Sequence, residues 1–92
     1  MRTSEFDPRI RAREVQVSDE ALTVLLADGR TISVPLEWYP RLHRATPAQR
    51  ANWQLIGEGD GIHWPDVDED ISTIMLVDGL ASIEYERAKK TG

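Results

Sequence analysis

Ala21-Leu22-Thr23-Val24-Leu25-Leu26-Ala27-Asp28-Gly29-Arg30-Thr31-Ile32-Ser33-Val34 is the stretch on which the fold turns. Asp28-Gly29 separates two β-rich runs, a strong short-range hairpin signal. A two-residue turn would pair Leu25 with Ile32, which sends Leu22, Val24 and Leu26 to the face opposite Ile32 and Val34. A three-residue loop, Ala27-Asp28-Gly29 with Gly29 left-handed, instead pairs Leu26 with Arg30, Val24 with Ile32 and Leu22 with Val34. Every strong apolar residue but Leu25 then shares one face. A slip of one residue reverses a whole strand's side chains, so the three-residue loop is predicted.

Upstream, Arg13 to Val17 alternates, with Val15 and Val17 on one face and Glu14 and Gln16 on the other, as in a half-buried strand. Ser18-Asp19-Glu20 is a turn, so the hairpin extends to a three-stranded antiparallel meander. Residues 1–12 lack a period and are expected to be a loosely held arm.

Downstream, Pro35 ends the third strand, and Pro40 to Ala45 reads as a short helical turn with proline at its first position. Thr46-Pro47-Ala48-Gln49 is a helix start, because threonine caps, proline presets the backbone and Gln49 completes a capping box. That helix is predicted to run to Ile56 and stop at Gly57, with Ala48, Ala51 and Leu55 on its inner stripe. After the loop Gly57–Gly61, Ile62-His63-Trp64 reads as an edge strand or extended connector. A further helix is expected from Asp68 to Gly79. Asp68, Glu69 and Asp70 would favour the positive end of its dipole, Asp66 with Glu69 offers a second capping box, and Ile71, Ile74 and Met75 would form its stripe. Residues 80–92 form an extension with Leu80, Ile83 and Tyr85, readable as strand or helix, before a Lys89-Lys90 tail. The expected fold is one α+β domain over residues 13–79, a three-stranded meander with two or three short helices.

The 92 residues suffice for a single core without staples. With no cysteine, there is no disulfide or thiolate site. No apolar run approaches the ~18 residues of a membrane span, and the N-terminus has no leader-like apolar segment, so a soluble cytoplasmic protein is expected. The net charge of -5 disfavours non-specific binding to phosphate backbones. Its distribution is uneven. Residues 38–57 carry Arg41, Arg44 and Arg50 and no acid, whereas residues 58–86 carry nine acids and neither lysine nor arginine. Such patches either face each other or offer an acidic surface to a basic partner.

Four constellations invite chemistry. Asp66, Asp68 and Asp70 alternate like the start of a calcium loop, but Ile71 stands where glycine is needed and Val77 where a bidentate glutamate is needed. His63 with Asp66, Asp68, Glu69 and Asp70 is a candidate metal or acid–base site, weighed against a histidine that is structural beside a buried tryptophan. His43, between Arg41 and Arg44, has an unhelpful setting for a ligand. The glycines of 57–61 lack the Lys-Ser/Thr of a phosphate loop, and their acids repel phosphate. Trp38, Trp53 and Trp64 are expected to fill one core, each indole N–H on a backbone carbonyl.

Two blocks, Trp38-Tyr39-Pro40-Arg41-Leu42 and Gly61-Ile62-His63-Trp64-Pro65 with Asp68-Glu69-Asp70-Ile71-Ser72, are distinctive. With Asp28-Gly29-Arg30 and Thr46-Pro47-Ala48-Gln49-Arg50, they resemble the small bacterial family known as domain of unknown function 2442, over residues 13–79. The resemblance implies a compact α+β domain in which Trp38, Tyr39, Pro40, Arg41, Leu42, His63, Trp64, Pro65, Asp70 and Ile71 are mainly structural. Longer relatives carry a DNA-binding domain after this module, and the present chain is expected to lack one. Members paired with a second small protein imply an antitoxin-like role with a toxin-like protein partner. The family offers no catalytic residues to carry over. The expectation is therefore a non-enzymatic interaction module without cofactor, nucleic acid or membrane, whose acids Glu58, Asp60, Asp66, Asp68 and Glu69 meet the partner. The alternatives are a small metal-dependent or acid–base site on His63 and Asp66–Asp70, or a regulatory domain acting with a DNA-binding partner.

Overall fold

β1 (Ala12–Val17), β2 (Ala21–Leu26) and β3 (Thr31–Pro35) form the meander in order β1-β2-β3, in a computed structural model that describes residues 8–79, 81–82 and 84–87. The hairpin register is the predicted one, with Val24 opposite Ile32 and Leu22 opposite Val34. The loop closes with Leu26 N–H to Arg30 O at 2.8 Å and Gly29 at φ 94°. Leu22, Val24 and Leu26 are buried and Leu25 faces out, each buried side chain contributing about 1.5–3 kcal/mol. β1 is bulged between Ala12 and Glu14. The ordered fold reaches further toward the N-terminus than expected, since Ile10, in a 3-10 turn at Pro8–Ile10, is buried in the core.

The second half corrects three sequence readings. The capped helix α2 is only Pro47–Ala51. Its capping box is present, with Thr46 Oγ1 accepting from Gln49 N–H at 3.1 Å and Gln49 Oε1 from Thr46 N–H at 3.0 Å. Asn52 then leaves the helical region (φ -94°, ψ 75°), and Gln54–Ile56 is a strand, β4. Ala48 and Ala51, assigned to an inner stripe, are exposed, and the buried residue of α2 is Arg50. β5 (Gly61–Trp64) is a central strand rather than an edge, hydrogen-bonded to β4 on one side and β6 (Glu69–Ser72) on the other.

The acids at 68–70 therefore do not open a helix. Glu69 and Ile71 point inward from β6, opposite Trp64 and Ile62, and Asp70 points outward. The dipole and the Asp66/Glu69 capping box do not account for these acids. The helix that follows, α3, is Thr73–Asp78, and it ends at Gly79 in the left-handed conformation, as the glycine predicts. Residues 84–87 are helical, whereas Leu80, Ile83 and the Lys89-Lys90 tail lie outside the described residues.

Both sheets turn their apolar faces into one core: Val15, Leu22, Val24, Leu26 and Val34 from the first, Ile62, Trp64 and Ile71 from the second. The connection centres on Gly59. Its carbonyl accepts Ala12 N–H at 2.8 Å and the Thr73 hydroxyl at 2.8 Å. Gly59 has φ 108°, and a Cβ built there would lie 2.4 Å from the Ala12 carbonyl oxygen, so glycine is required. Trp64 is fully buried and its indole N–H meets a carbonyl as expected, whereas Trp38 and Trp53 are half-buried against the core. No helix among the described residues is long and apolar enough to cross a membrane.

Candidate functional site

The two motif blocks meet at Arg41. A 3-10 turn at Leu36–Trp38 leads into the short helix α1 (Pro40–His43), begun by a proline whose fixed backbone suits a first helical position. Tyr39 and Leu42 point into the core, and Arg41 is left on the exposed side. Its Nη1 donates to the Asp68 carbonyl at 2.7 Å, and its Nε lies 3.3 Å from Glu84 and 3.9 Å from Glu69. Asp68 occupies the left-handed region at φ 54°, the one described non-glycine residue to do so. It closes the β5–β6 hairpin, and aspartate tolerates that conformation better than bulkier side chains.

These groups line a cleft of about 390 Å³ that also takes in Asp70, and of its four acids Glu84 and Glu69 lie within ion-pair reach of the Arg41 guanidinium. Burial pushes the Glu69 carboxyl up, an effect that Arg41 opposes and the charges of Glu84, Asp70 and Asp68 reinforce. Burial also raises the Tyr39 phenol to about 12, with the Glu69 charge adding to it. Desolvation penalises the charged form of both groups.

The structure separates most of the acids that the sequence places together. His63 and Asp70 are opposite one another on β5 and β6, and His63 Nδ1 contacts the Asp70 carboxylate. The pair stands on the outer face, the Asp70 side chain 67% exposed. Asp66 turns away and accepts from the Asn52 amide at 3.0 Å. Asp68 sits in the turn and Glu69 on the buried face, so the set does not converge on His63. Among the described residues no three His, Asp or Glu side chains gather as an ion-binding group.

The acids assigned to a partner divide likewise. Glu58 and Asp60 are held by Arg11, at 2.8 Å and 3.4 Å, and Glu69 is buried, so that acid is not offered at the surface. Asp66 and Asp68 remain exposed, joined by Asp70. His43 is exposed on α1.

Sequence reasoning passed over Arg50. Its guanidinium donates to Leu42 O at 3.0 Å, His43 O at 2.9 Å and Asp19 at 2.7 Å, and its own carbonyl accepts the Trp64 indole. The available signal was that Arg50 is the single charged residue between positions 45 and 57.

The family model described as Protein of unknown function (DUF2442) matches residues 12–82. A crystal structure of a protein of unknown function from Rhodospirillum rubrum is 28% identical and superposes with a TM-score of 0.66, covering 78% of this chain and 89% of that one. The solution structure of an uncharacterized protein from Chromobacterium violaceum is 23% identical with a TM-score of 0.69, covering 87% of this chain and 75% of that one, a likeness of fold alone. No curated protein matches the sequence.

Proposed function

We propose, for a chain that belongs to the family of proteins of unknown function DUF2442, that it is a non-enzymatic interaction module. In this reading it is the antitoxin-like member of a cytoplasmic two-protein pair and receives a basic partner protein on its acidic face. The observation that carries the reading is the imbalance at the motif cleft, whose described lining holds four acids, Asp68, Glu69, Asp70 and Glu84, and one cation, Arg41. Arg41 pairs with Glu84 and donates to the Asp68 main-chain carbonyl, while the Asp68 side chain is exposed and Asp70, also exposed, contacts His63. A rim of one sign steers association and sets orientation more than it supplies affinity. Asp66, two residues before Asp68, is a further exposed acid outside the cleft.

The test is affinity capture from the native cell with the wild-type chain and with an Asp66→Lys/Asp68→Lys/Asp70→Lys variant of unchanged melting temperature. A basic protein retained by the wild type, lost from the variant and released by raised salt is the expected result. Identical captured proteins from both would overturn the reading. Hydrolytic or transfer activity abolished by His63→Ala in a folded protein would replace it with the acid–base alternative at His63 and Asp70.

A further inference from the structure

A second cleft lies between the end of β1 and α2. It measures about 620 Å³ and is lined by Val15, Val17, Pro47 and Trp53, with Arg50 and Asp19 among its polar groups. We propose that this cleft is a binding site for a small organic carboxylate with a flat apolar body, whose carboxylate takes the place of Asp19 on Arg50.

Three observations converge on that ligand. The first is a fixed cation. Nε and Nη2 of Arg50 are committed to the carbonyls of Leu42 and His43, which anchors the guanidinium plane, and its side chain is only 9% exposed. Nη1 is left to an anionic oxygen, and the carboxylate of Asp19 already shows that this kind of acceptor fits the position. The second is the character of the present occupant. The Asp19 side chain is 90% exposed although it bonds to Arg50 at 2.7 Å, and it belongs to the turn between β1 and β2. The far side of this carboxylate reaches water, so a second carboxylate can exchange with it while the buried guanidinium stays paired throughout. The third is the wall. Trp53 is half-buried beside Pro47 and Val17, an apolar surface for a planar body next to one anchored charge. A few placed polar groups within a mainly apolar cleft of this size is the common form of a small-ligand site.

Asp19 thus acts as a tethered competitor, which separates the proposal from a purely structural role for Arg50. The test uses 3-phenylpropionate and its neutral counterpart 3-phenylpropionamide, followed by the Trp53 indole N–H resonance in ¹H–¹⁵N spectra of the full chain. The acid is expected to give a saturable shift and to bind about tenfold or more tighter than the amide, the usual worth of a charge-assisted hydrogen bond. Asp19→Asn, which takes the charge away from a nearly buried guanidinium, is expected to lower the melting temperature and, in the folded protein, to tighten the acid several-fold while leaving the amide unchanged. Trp53→Ala is expected to weaken the acid. Three results would overturn the proposal: no saturable shift in wild type or Asp19→Asn at about 10 mM, far above millimolar affinity; equal binding of acid and amide; or no tightening in Asp19→Asn.

Discussion

The indole N–H of Trp64 donates to the carbonyl of Arg50 across 3.0 Å, joining the central strand of the second sheet to α2 inside the core. Trp64 is 0% exposed, so no water can take over either group. Trp64→Phe keeps most of the apolar volume but orphans the carbonyl, and is expected to cost about 1–3 kcal/mol. Trp64→Ala adds a cavity and should cost about 3–5 kcal/mol. Urea denaturation of the two variants checks the order. A Trp64→Phe variant as stable as the wild type would mean that the hydrogen bond adds nothing.

Thr46→Ala removes the acceptor for Gln49 N–H and breaks a reciprocal pair. With only five residues, α2 has little else of its own to hold it. A loss of about 0.5–2 kcal/mol is expected, read as a lower denaturation midpoint at unchanged slope.

Gly59→Ala is expected to be among the most damaging single-methyl changes in this chain. The new Cβ meets Ala12 O at 2.4 Å and Ala12 N at 2.9 Å, in a left-handed conformation. Backbone strain alone is worth about 1–3 kcal/mol, and the clash forces the two sheets apart. Gly29→Ala, at φ 94° but in open space, provides the control, because it carries the strain without the clash. Thermal unfolding should place Gly59→Ala well below Gly29→Ala.

Glu69 gives stability a pH dependence of unusual sign for a carboxylate. Its folded pKa lies above the ordinary 4.5, so the folded state holds the proton more tightly than the unfolded chain. Its contribution is fully present below that ordinary value and is lost as pH rises through the folded one. Glu69→Gln should therefore melt higher than wild type at pH 7, and the difference should shrink toward pH 4. A variant less stable at both pH values would show that the Arg41 contact outweighs burial.

Tyr39 carries the same sign at the alkaline end, with a phenol ordinarily at 10.0 raised to about 12. Stability that it supports below pH 10 is lost as pH climbs through 12. Absorbance at the phenolate band should show one of the two tyrosines ionising only near pH 12 or together with unfolding, and Tyr39→Phe should remove that step.

The sequence was most legible where one face is apolar and the other is not. Leu22, Val24, Leu26, Ile32 and Val34 admit one good register, and it is the one found. Thr46 and Gln49 were legible for a similar reason, because a capping box is a local geometry that needs no distant partner. The rest failed where inward positions hold charged residues. Glu69 on the buried face of β6 hides the period of two that Glu69 and Ile71 create, so three acids in a row read as a helix start. Arg50 on the inner side of α2 misled in the same way, and the apolar Trp53, Leu55 and Ile56 beyond it suit either period. Of the candidate site, the sequence identified the two motif blocks but not their meeting through Arg41 and the Asp68 carbonyl, a contact of two residues far apart in the chain.

The double use of the Gly59 carbonyl has a consequence for the order in which the chain is made. Synthesis releases β1, β2 and β3 first, a meander of local contacts able to close as soon as Pro35 emerges. Its inner face then stays bare, because Trp64 and Ile71 are encoded far downstream, and Ala12 N–H must wait for Gly59. Long-range closure of this kind is slow compared with hairpin formation. On the ribosome the first sheet is therefore an unfinished half with an uncovered apolar surface, the condition in which nascent chains most need shielding from one another.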